Sequence, residues 1–289
     1  LHPGQEDRFM PIKTAAHGRE RWQFDEPSPG RECLVVETFD GYSQEGRLLI
    51  PDIEHAPPLF MLGGARSDFT HLNPLLYRLQ ALGIGSLTGN LSGHSLASLP
   101  GARAPSLHTN LAEALRFFRH VEHRCNTVIG HSLGAALALK VAAHHARQVN
   151  KLVLLCPAVY ADSAYDAPFG PAFTRAISTP HGFLDSDSYK FLRSYRGQVL
   201  LVLGQYDGLL AAHHGRTPGT SAGHVEIDGM LRYSPIPAEV IQALSDTLPP
   251  GHFEQLTLPD CDHGIAAHLR AHPPQAGALA QQVAAFIRR

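Results

Sequence analysis

Short hydrophobic runs recur along the chain and are separated by amphipathic segments, a pattern typical of alternating strands and helices. Most of the runs are continuous and rich in Val, Ile and Leu, as expected of strands that are covered on both faces. They predict eight strands, at residues 32–39, 45–50, 58–62, 84–88, 127–130, 151–156, 198–204 and 252–258.

Apolar residues at helical spacing fill several of the intervals between these strands. They predict helices at residues 70–83, 107–124, 132–148, 237–248 and 275–289. The first two strands are joined by the turn DGYSQ and should form a hairpin. The later alternation of strand and helix predicts an α/β fold, with a mostly parallel, doubly wound, eight-stranded sheet and helices on both faces.

These elements form one predicted domain, residues 32–289. It is preceded by an arm, residues 1–31, in which apolar residues recur at neither helical nor strand spacing. Two connections are too long for plain crossovers, at about 157–197 and about 205–235. The first is rich in aromatic residues and is expected to form a small cap. The second is rich in Gly and Pro and is expected to take an irregular path over the mouth of a site, because long loops at the carboxyl ends of parallel strands are usually functional.

Composition argues against several kinds of partner. A net charge of -2 gives no electrostatic reason to expect nucleic acid or an anionic membrane, and no apolar stretch reaches the length of a membrane span. The polar N-terminus has no apolar region typical of a secretory signal. The four cysteines include no C-x-x-C pair, so we expect reduced thiols and a cytoplasmic location. No metal-ligand spacing or phosphate loop is evident, so neither a metal nor a cofactor is expected.

The strongest chemical signal is the pentapeptide Gly130-His131-Ser132-Leu133-Gly134, which lies between a predicted strand and a predicted helix. This is the G-x-S-x-G nucleophile elbow in its required context of strand, turn and helix. The turn is tight and brings backbone segments together, so glycine is needed at both outer positions. Ser132 is therefore the candidate nucleophile.

A serine needs a base within hydrogen-bond reach, and His263 is the best candidate among the 19 histidines. It follows the last predicted strand and comes after Ser132, as the order Ser, acid, His requires. His252 precedes that strand, and His268 falls in the following helical segment. His131 adjoins the nucleophile, so its side chain is expected to point elsewhere.

The acid that orients the histidine is predicted to be Asp207, which directly follows the strand at 198–204. Asp262 neighbours His263 in sequence and is poorly placed to bond its ring. The alternatives to Asp207 are Asp162, Asp166, Asp228, Asp260 and Asp262.

Acyl transfer also needs hydrogen-bond donors for the developing oxyanion. The backbone amide of Leu133, the residue after the nucleophile, is predicted to supply one. The second should come from the loop after the strand at 58–62, where Gly64 is favoured and Ala65 is the alternative. The same loop could also be no more than a tight strand-to-helix turn.

Five segments together resemble the α/β-hydrolase superfamily across about residues 32–289. The matching segments are LFMLGGARSDF, GNLSGHS, GHSLGA, LVLGQYD and DCDHG. The second is similar to the family's Asp-x-Pro-Gly-His-Gly segment, with Asn90 in place of Asp and Ser92 in place of Pro. The family's His-Gly after the third strand reads Leu62-Gly63 here. Ser132 excludes the superfamily members that use an aspartate nucleophile.

The resemblance implies a serine hydrolase that cleaves a carboxylic ester or thioester through an acyl-serine intermediate. The implied partner is a small-molecule ester or thioester, with an apolar acyl group suggested by the aromatic cap segment. Two alternatives stay open: an acyltransferase or other non-hydrolytic enzyme of a biosynthetic pathway, and a ligand-binding protein with a residual triad. The presence of all three triad residues argues against pure binding.

Overall fold

The computed structural model describes residues 10–11, 27–94 and 104–289. Most of the predicted arm at 1–31 lies outside the described residues, as does Ser95 at the end of the GNLSGHS segment. Within the arm, Met10–Pro11 forms a two-residue strand, β1, that pairs antiparallel with residues 33–34.

All eight predicted strands are present. After β1 they are β2 Arg31–Phe39, β3 Tyr42–Ile50, β4 Ala56–Leu62, β5 Ile84–Gly89, β6 Thr127–His131, β7 Lys151–Leu155, β8 Gln198–Gly204 and, after a separate hairpin, β11 Phe253–Leu258. They join β1 in one sheet of order β1-β2-β3-β5-β4-β6-β7-β8-β11. The strands from β5 to β11 in this order pair in parallel, which confirms the predicted fold class.

The antiparallel end of the sheet is a tighter hairpin than predicted. Phe39 pairs with Tyr42, so the turn contains only Asp40 and Gly41 and the strand runs through the rest of DGYSQ. Asp-Gly is a strong two-residue turn signal, and Gly41 takes a positive φ of 80° that glycine adopts without strain.

Helices occupy all the predicted positions. They are α1 Asn73–Ala81, α2 Leu107–Phe118, α3 Leu133–His144, α4 Pro171–Ile177, α5 Asp187–Ser194, α6 Ala238–Thr247, α7 Ile265–Ala271 and α8 Pro273–Arg288. Of these, α4 and α5 lie within the predicted cap segment, and α7 follows β11. No helix in the described ranges combines the length and the apolarity needed to cross a bilayer.

Side chains of the central strands alternate between two hydrophobic cores, one on each face of the sheet. In β7, Leu152 and Leu154 belong to the core beneath α2, α3, α5 and α6, whereas Val153 and Leu155 belong to the core beneath α1, α7 and α8. This follows from the two-residue period of a strand, and it explains why the runs are apolar at consecutive positions.

The segment 205–235 is more regular than predicted. It contains a 3-10 turn, Ala211–His214, and a β-hairpin formed by β9, Gly223–Ile227, and β10, Met230–Ser234. Asp228 and Gly229 form its two-residue turn with φ values of 51° and 73°. The expectation of an irregular path was wrong because Asp-Gly favours this turn strongly enough to nucleate a hairpin between two short strands.

Candidate active site

Ser132 lies at the sharp turn between β6 and α3, with φ 53° and ψ -119°. This is a strained conformation for a residue with a side chain, and such strain persists only where surrounding bonds enforce it. Here the Ser132 amide donates to the Leu155 carbonyl at 3.0 Å, and the Ser132 carbonyl accepts from the Ala135 and Ala158 amides at 3.0 and 3.1 Å. The turn is therefore fixed by β7, by the loop that follows β7 and by the helix.

The two glycines of the pentapeptide are required by close backbone packing. A Cβ at Gly130 would lie 2.4 Å from the Gly134 carbonyl oxygen. A Cβ at Gly134 would lie 2.2 Å from the carbonyl oxygen of Leu62 and 2.4 Å from that of Gly63, both at the end of β4. The absence of a side chain at Gly134 thus lets the start of α3 pack closely against the end of β4 and the residue that follows it.

We expect Gly134→Ala to lower the free energy of unfolding by about 3 kcal/mol, because the new methyl group meets backbone atoms that cannot move aside. Urea unfolding of the purified variant measures this. Gly277→Ala in α8 is the matched control: a Cβ there meets no atom within 4 Å, and alanine favours a helix, so stability should stay equal or rise. Equal losses in both variants would contradict the packing account.

The structure brings Ser132, His263 and Asp207 together from three separate loops. The distance from His263 Nε2 to Ser132 Oγ is 2.9 Å, and that from His263 Nδ1 to Asp207 Oδ2 is 2.8 Å. The Asp207 side chain is fully buried and the His263 side chain is nearly so. An ionised Asp207 only accepts hydrogen bonds, so Nδ1 carries the proton and Nε2 is left to accept from the Ser132 hydroxyl.

The other candidate acids lie elsewhere. Asp162 binds Lys140 at 2.7 Å, and Asp166 binds His108 at 2.7 Å. Asp262 accepts from two backbone amides, those of Tyr233 at 2.9 Å and Gly264 at 2.8 Å. Of the candidates, Asp207 is the one whose carboxylate bonds the His263 ring.

His131 contacts the site more closely than its position beside the nucleophile suggested. Its buried ring stacks on His263 with 5.6 Å between centroids, and on His71 with 6.1 Å. Burial lowers the pKa of His131 well below its usual range, and the positive charges that His263 and His71 would carry lower it further. His131 therefore stays neutral and supports the His263 ring by packing, a role that sequence order could not show.

The two candidate oxyanion donors also lie beside Ser132. Leu133 is the first residue of α3, where backbone amides have no partner inside the helix. Gly64 approaches from the loop after β4, and a Cβ there would lie 3.2 Å from Ser132 Cβ. The Gly64 carbonyl accepts from the Ser67 hydroxyl at 2.6 Å, which fixes this loop. Ser67 gave no signal in the sequence.

Comparison with known proteins bears on the fold. The family model described as serine aminopeptidase, S33, matches residues 56–183, a range that contains the turn at Ser132. The structure of a putative hydrolase from Agrobacterium vitis S4 superposes with a TM-score of 0.56 at 18% identity, covering 88% of this chain and 97% of that one. The chain has the α/β-hydrolase fold. No curated protein sequence is significantly similar to it.

Other α/β-hydrolase-fold structures are similar to a comparable degree. Est1E from Butyrivibrio proteoclasticus, solved with ferulic acid bound, has a TM-score of 0.58 at 16% identity, with 86% of this chain and 98% of that chain covered. A thioesterase domain from the curacin biosynthetic pathway has a TM-score of 0.59 at 16% identity, with the same coverage. At these identities the comparison shows the shared fold.

A small pocket opens beside the loop that follows β4. Its lining includes Gly64, Ser67, Asp68, Leu91 and His94. Burial lowers the pKa of His94, and a hydrogen bond to the Asn110 side chain offsets this only in part. The lowered pKa favours the uncharged imidazole.

The aromatic residues of the segment 157–197 pack mainly into the core on the α3 face. Tyr165, Phe173, Phe183 and Tyr189 are buried there, and the Tyr165 hydroxyl donates to the Ala136 carbonyl at 3.3 Å. Phe169 instead packs on the His94 ring, with 4.7 Å between centroids. Through Phe169 the segment thus contacts His94, one of the residues that line the pocket.

One group of potential metal ligands was found in the described ranges: Cys156, Asp207 and His263, whose ligand atoms lie within 4.8 Å of one another. Two of the three already bond each other. Burial raises the pKa of the Cys156 thiol well above its usual range, and the charge of Asp207 raises it further. A protonated thiol is a poor metal ligand, so these three residues are poorly suited to holding an ion. Cys156 instead lies beside the His263–Asp207 hydrogen bond.

Proposed function

We propose that this protein is a serine hydrolase that cleaves a carboxylic ester or a thioester through an acyl-Ser132 intermediate. The observation that carries the proposal is the continuous hydrogen-bonded series Ser132–His263–Asp207, with distances of 2.9 and 2.8 Å. These are the distances at which a base can take a proton from a hydroxyl and an acid can orient that base.

In the first half-reaction, Ser132 Oγ attacks the substrate carbonyl carbon while its proton passes to His263 Nε2. The charge of Asp207 stabilises the imidazolium that results. His263 then gives this proton to the departing alkoxide or thiolate, and the acyl group remains on Ser132. In the second half, His263 takes a proton from water, the resulting hydroxide attacks the acyl carbon, and Ser132 recovers its proton.

The negative charge that develops on the carbonyl oxygen needs donors that are already in place. The amides of Leu133 and Gly64 fit this role because both belong to backbone that lies directly beside Ser132. The N-terminus of α3 adds a favourable dipole for an anion at the same point. Ser67 would act indirectly, by holding the Gly64 peptide through its carbonyl oxygen.

The small pocket beside Gly64 is proposed to hold a small group of the substrate, and the segment 157–197 is the proposed cap. Phe169 packs on His94, a lining residue, so the surroundings of the pocket fit a small apolar substrate group. The fold is shared by a thioesterase domain and by an esterase domain, so it is compatible with both leaving-group classes. We further propose a cytoplasmic location, since all four cysteines are free thiols.

Steady-state hydrolysis of p-nitrophenyl acetate, an acetyl thioester and an amino-acid p-nitroanilide tests the proposal. We expect turnover of the ester and the thioester and little of the anilide. A fluorophosphonate probe should label Ser132, as located by peptide mass spectrometry. Labelling at another residue, or anilide cleavage faster than ester cleavage, would overturn this function.

A further inference from the structure

The hairpin of β9 and β10, residues 223–234, binds the loop that carries His263 through three hydrogen bonds made by two residues, Arg232 and Tyr233. Arg232 Nη1 donates to the Asp260 carbonyl at 3.2 Å. The Tyr233 amide donates to Asp262 Oδ2 at 2.9 Å. The His263 amide donates to the Tyr233 carbonyl at 2.9 Å.

Asp262 links the hairpin to the backbone on the far side of His263. Its Oδ2 accepts from the Tyr233 amide, and its Oδ1 accepts from the Gly264 amide at 2.8 Å. One carboxylate thus holds the residue after His263 and a residue of the hairpin at the same time. Both bonds are charge-assisted, which makes them stronger than neutral backbone bonds.

The hairpin also contacts the His263 ring and the loop of the acid. The rings of Tyr233 and His263 pack edge to face, with centroids 5.6 Å apart and an interplanar angle of 88°. The next residue, Ser234, is fully buried and accepts from the Leu209 amide at 3.2 Å, two residues after Asp207. The same strand therefore touches both loops whose side chains must meet.

The large apolar side chains of the hairpin do not form a buried cover over the site. Met230 and Leu231 are exposed to 55% and 70%. The hydrogen bonds of the hairpin are concentrated at Arg232, Tyr233 and Ser234, next to the His263 and Asp207 loops. This distribution fits a support for the site better than a cover.

We propose that the hairpin at 223–234 is a positioning element for His263, and that Asp262 and Tyr233 are its positioning residues. This inference rests on the proposed function, in which His263 must face both Ser132 and Asp207. Asp262 sets the path of the backbone around His263, and Tyr233 limits the rotation of its ring. Neither residue touches the reacting atoms.

Asp262→Asn tests this, with Asp260→Asn as the matched control. Asparagine offers one acceptor oxygen, so either the Tyr233 or the Gly264 amide loses its acceptor and meets an NH2 group. Asp260→Asn removes the same charge from the same loop, and asparagine tolerates its positive φ of 58°. We expect kcat for p-nitrophenyl acetate to fall about 10- to 100-fold in Asp262→Asn, with KM nearly unchanged, since small misplacements of a catalytic group cost that much.

Two further readouts separate positioning from charge and from folding. Both variants lose one negative charge, so a shift in the pH profile of kcat/KM that both share is electrostatic. An additional loss of kcat at the pH optimum in Asp262→Asn alone is due to lost positioning. Tyr233→Ala should lower kcat several-fold and Tyr233→Phe should not, because only the alanine removes the ring edge. Tyr233 is 41% exposed, so these variants should fold even if Asp262→Asn does not.

The downfield proton resonance of the His263–Asp207 hydrogen bond gives a readout that needs no turnover. It should weaken in Asp262→Asn and persist in Asp260→Asn. Equal kinetics and equal spectra in the two variants would overturn the positioning role while leaving the serine mechanism intact. Failure of the proposed function would look different: the wild type would lack Ser132-dependent hydrolysis whatever the hairpin variants did.

Discussion

Ser132→Ala should lower kcat for ester hydrolysis by about 10,000-fold or more, because loss of a triad nucleophile removes the covalent path entirely. The fold should persist, since the bonds that fix the turn at Ser132 use its backbone amide and carbonyl. Stopped-flow or long-time absorbance assays with p-nitrophenyl acetate measure the rate, and circular dichroism checks the fold.

Ser178→Ala is a control for this variant, because Ser178 is an exposed serine whose hydroxyl donates to the Thr174 carbonyl at 2.6 Å. Its activity should equal that of the wild type. Hydrolysis that survives in purified Ser132→Ala at more than about one-tenth of the wild-type rate would mean that another group is the nucleophile.

Asp207→Asn should lower kcat by about 10,000-fold, the second largest effect expected. An asparagine amide facing Nδ1 donates a hydrogen bond, so Nδ1 would lose its proton and Nε2 would carry it. His263 could then no longer accept the Ser132 proton. The positions of the three side chains would be preserved, but His263 would carry its proton on Nε2 instead of Nδ1.

Asp228→Asn is the matched control for Asp207→Asn. Asp228 lies in the hairpin turn with φ 51°, where asparagine is equally well accommodated, and it was an alternative candidate for the acid. We expect it to retain full activity. The reverse result, with a large loss in Asp228→Asn and a small one in Asp207→Asn, would move the acid to the hairpin.

Much of the fold could be predicted because its signals are local. Strands β7 and β8 are apolar at almost every position, as burial on both faces requires, and Gly130 and Gly134 mark a turn that permits no side chain at either position. The order of Ser132, Asp207 and His263 along the chain was also informative, because strand ends of a parallel sheet meet at one edge.

Other parts depend on contacts between distant segments. Asp228-Gly229 is a recognisable two-residue turn, so the hairpin itself was within reach of the sequence. The hydrogen bond between Tyr233 and the His263 loop could not be predicted, because it depends on how the loops after β8 and β11 lie in space. The stacking of His131 on His263 was missed for the same reason: residues on adjacent sides of a strained turn need not point apart.

The central claim is that an acyl group is transferred to Ser132, and trapping that group tests it most directly. His263→Ala should allow a slow acylation by p-nitrophenyl acetate and no efficient deacylation, because water then has no base. Intact-protein mass spectrometry should show one added acetyl group, and peptide mapping should place it on Ser132. Two results would contradict the account. One is an acetyl group on a residue other than Ser132. The other is product formation with no adduct on Ser132 in either His263→Ala or the wild type.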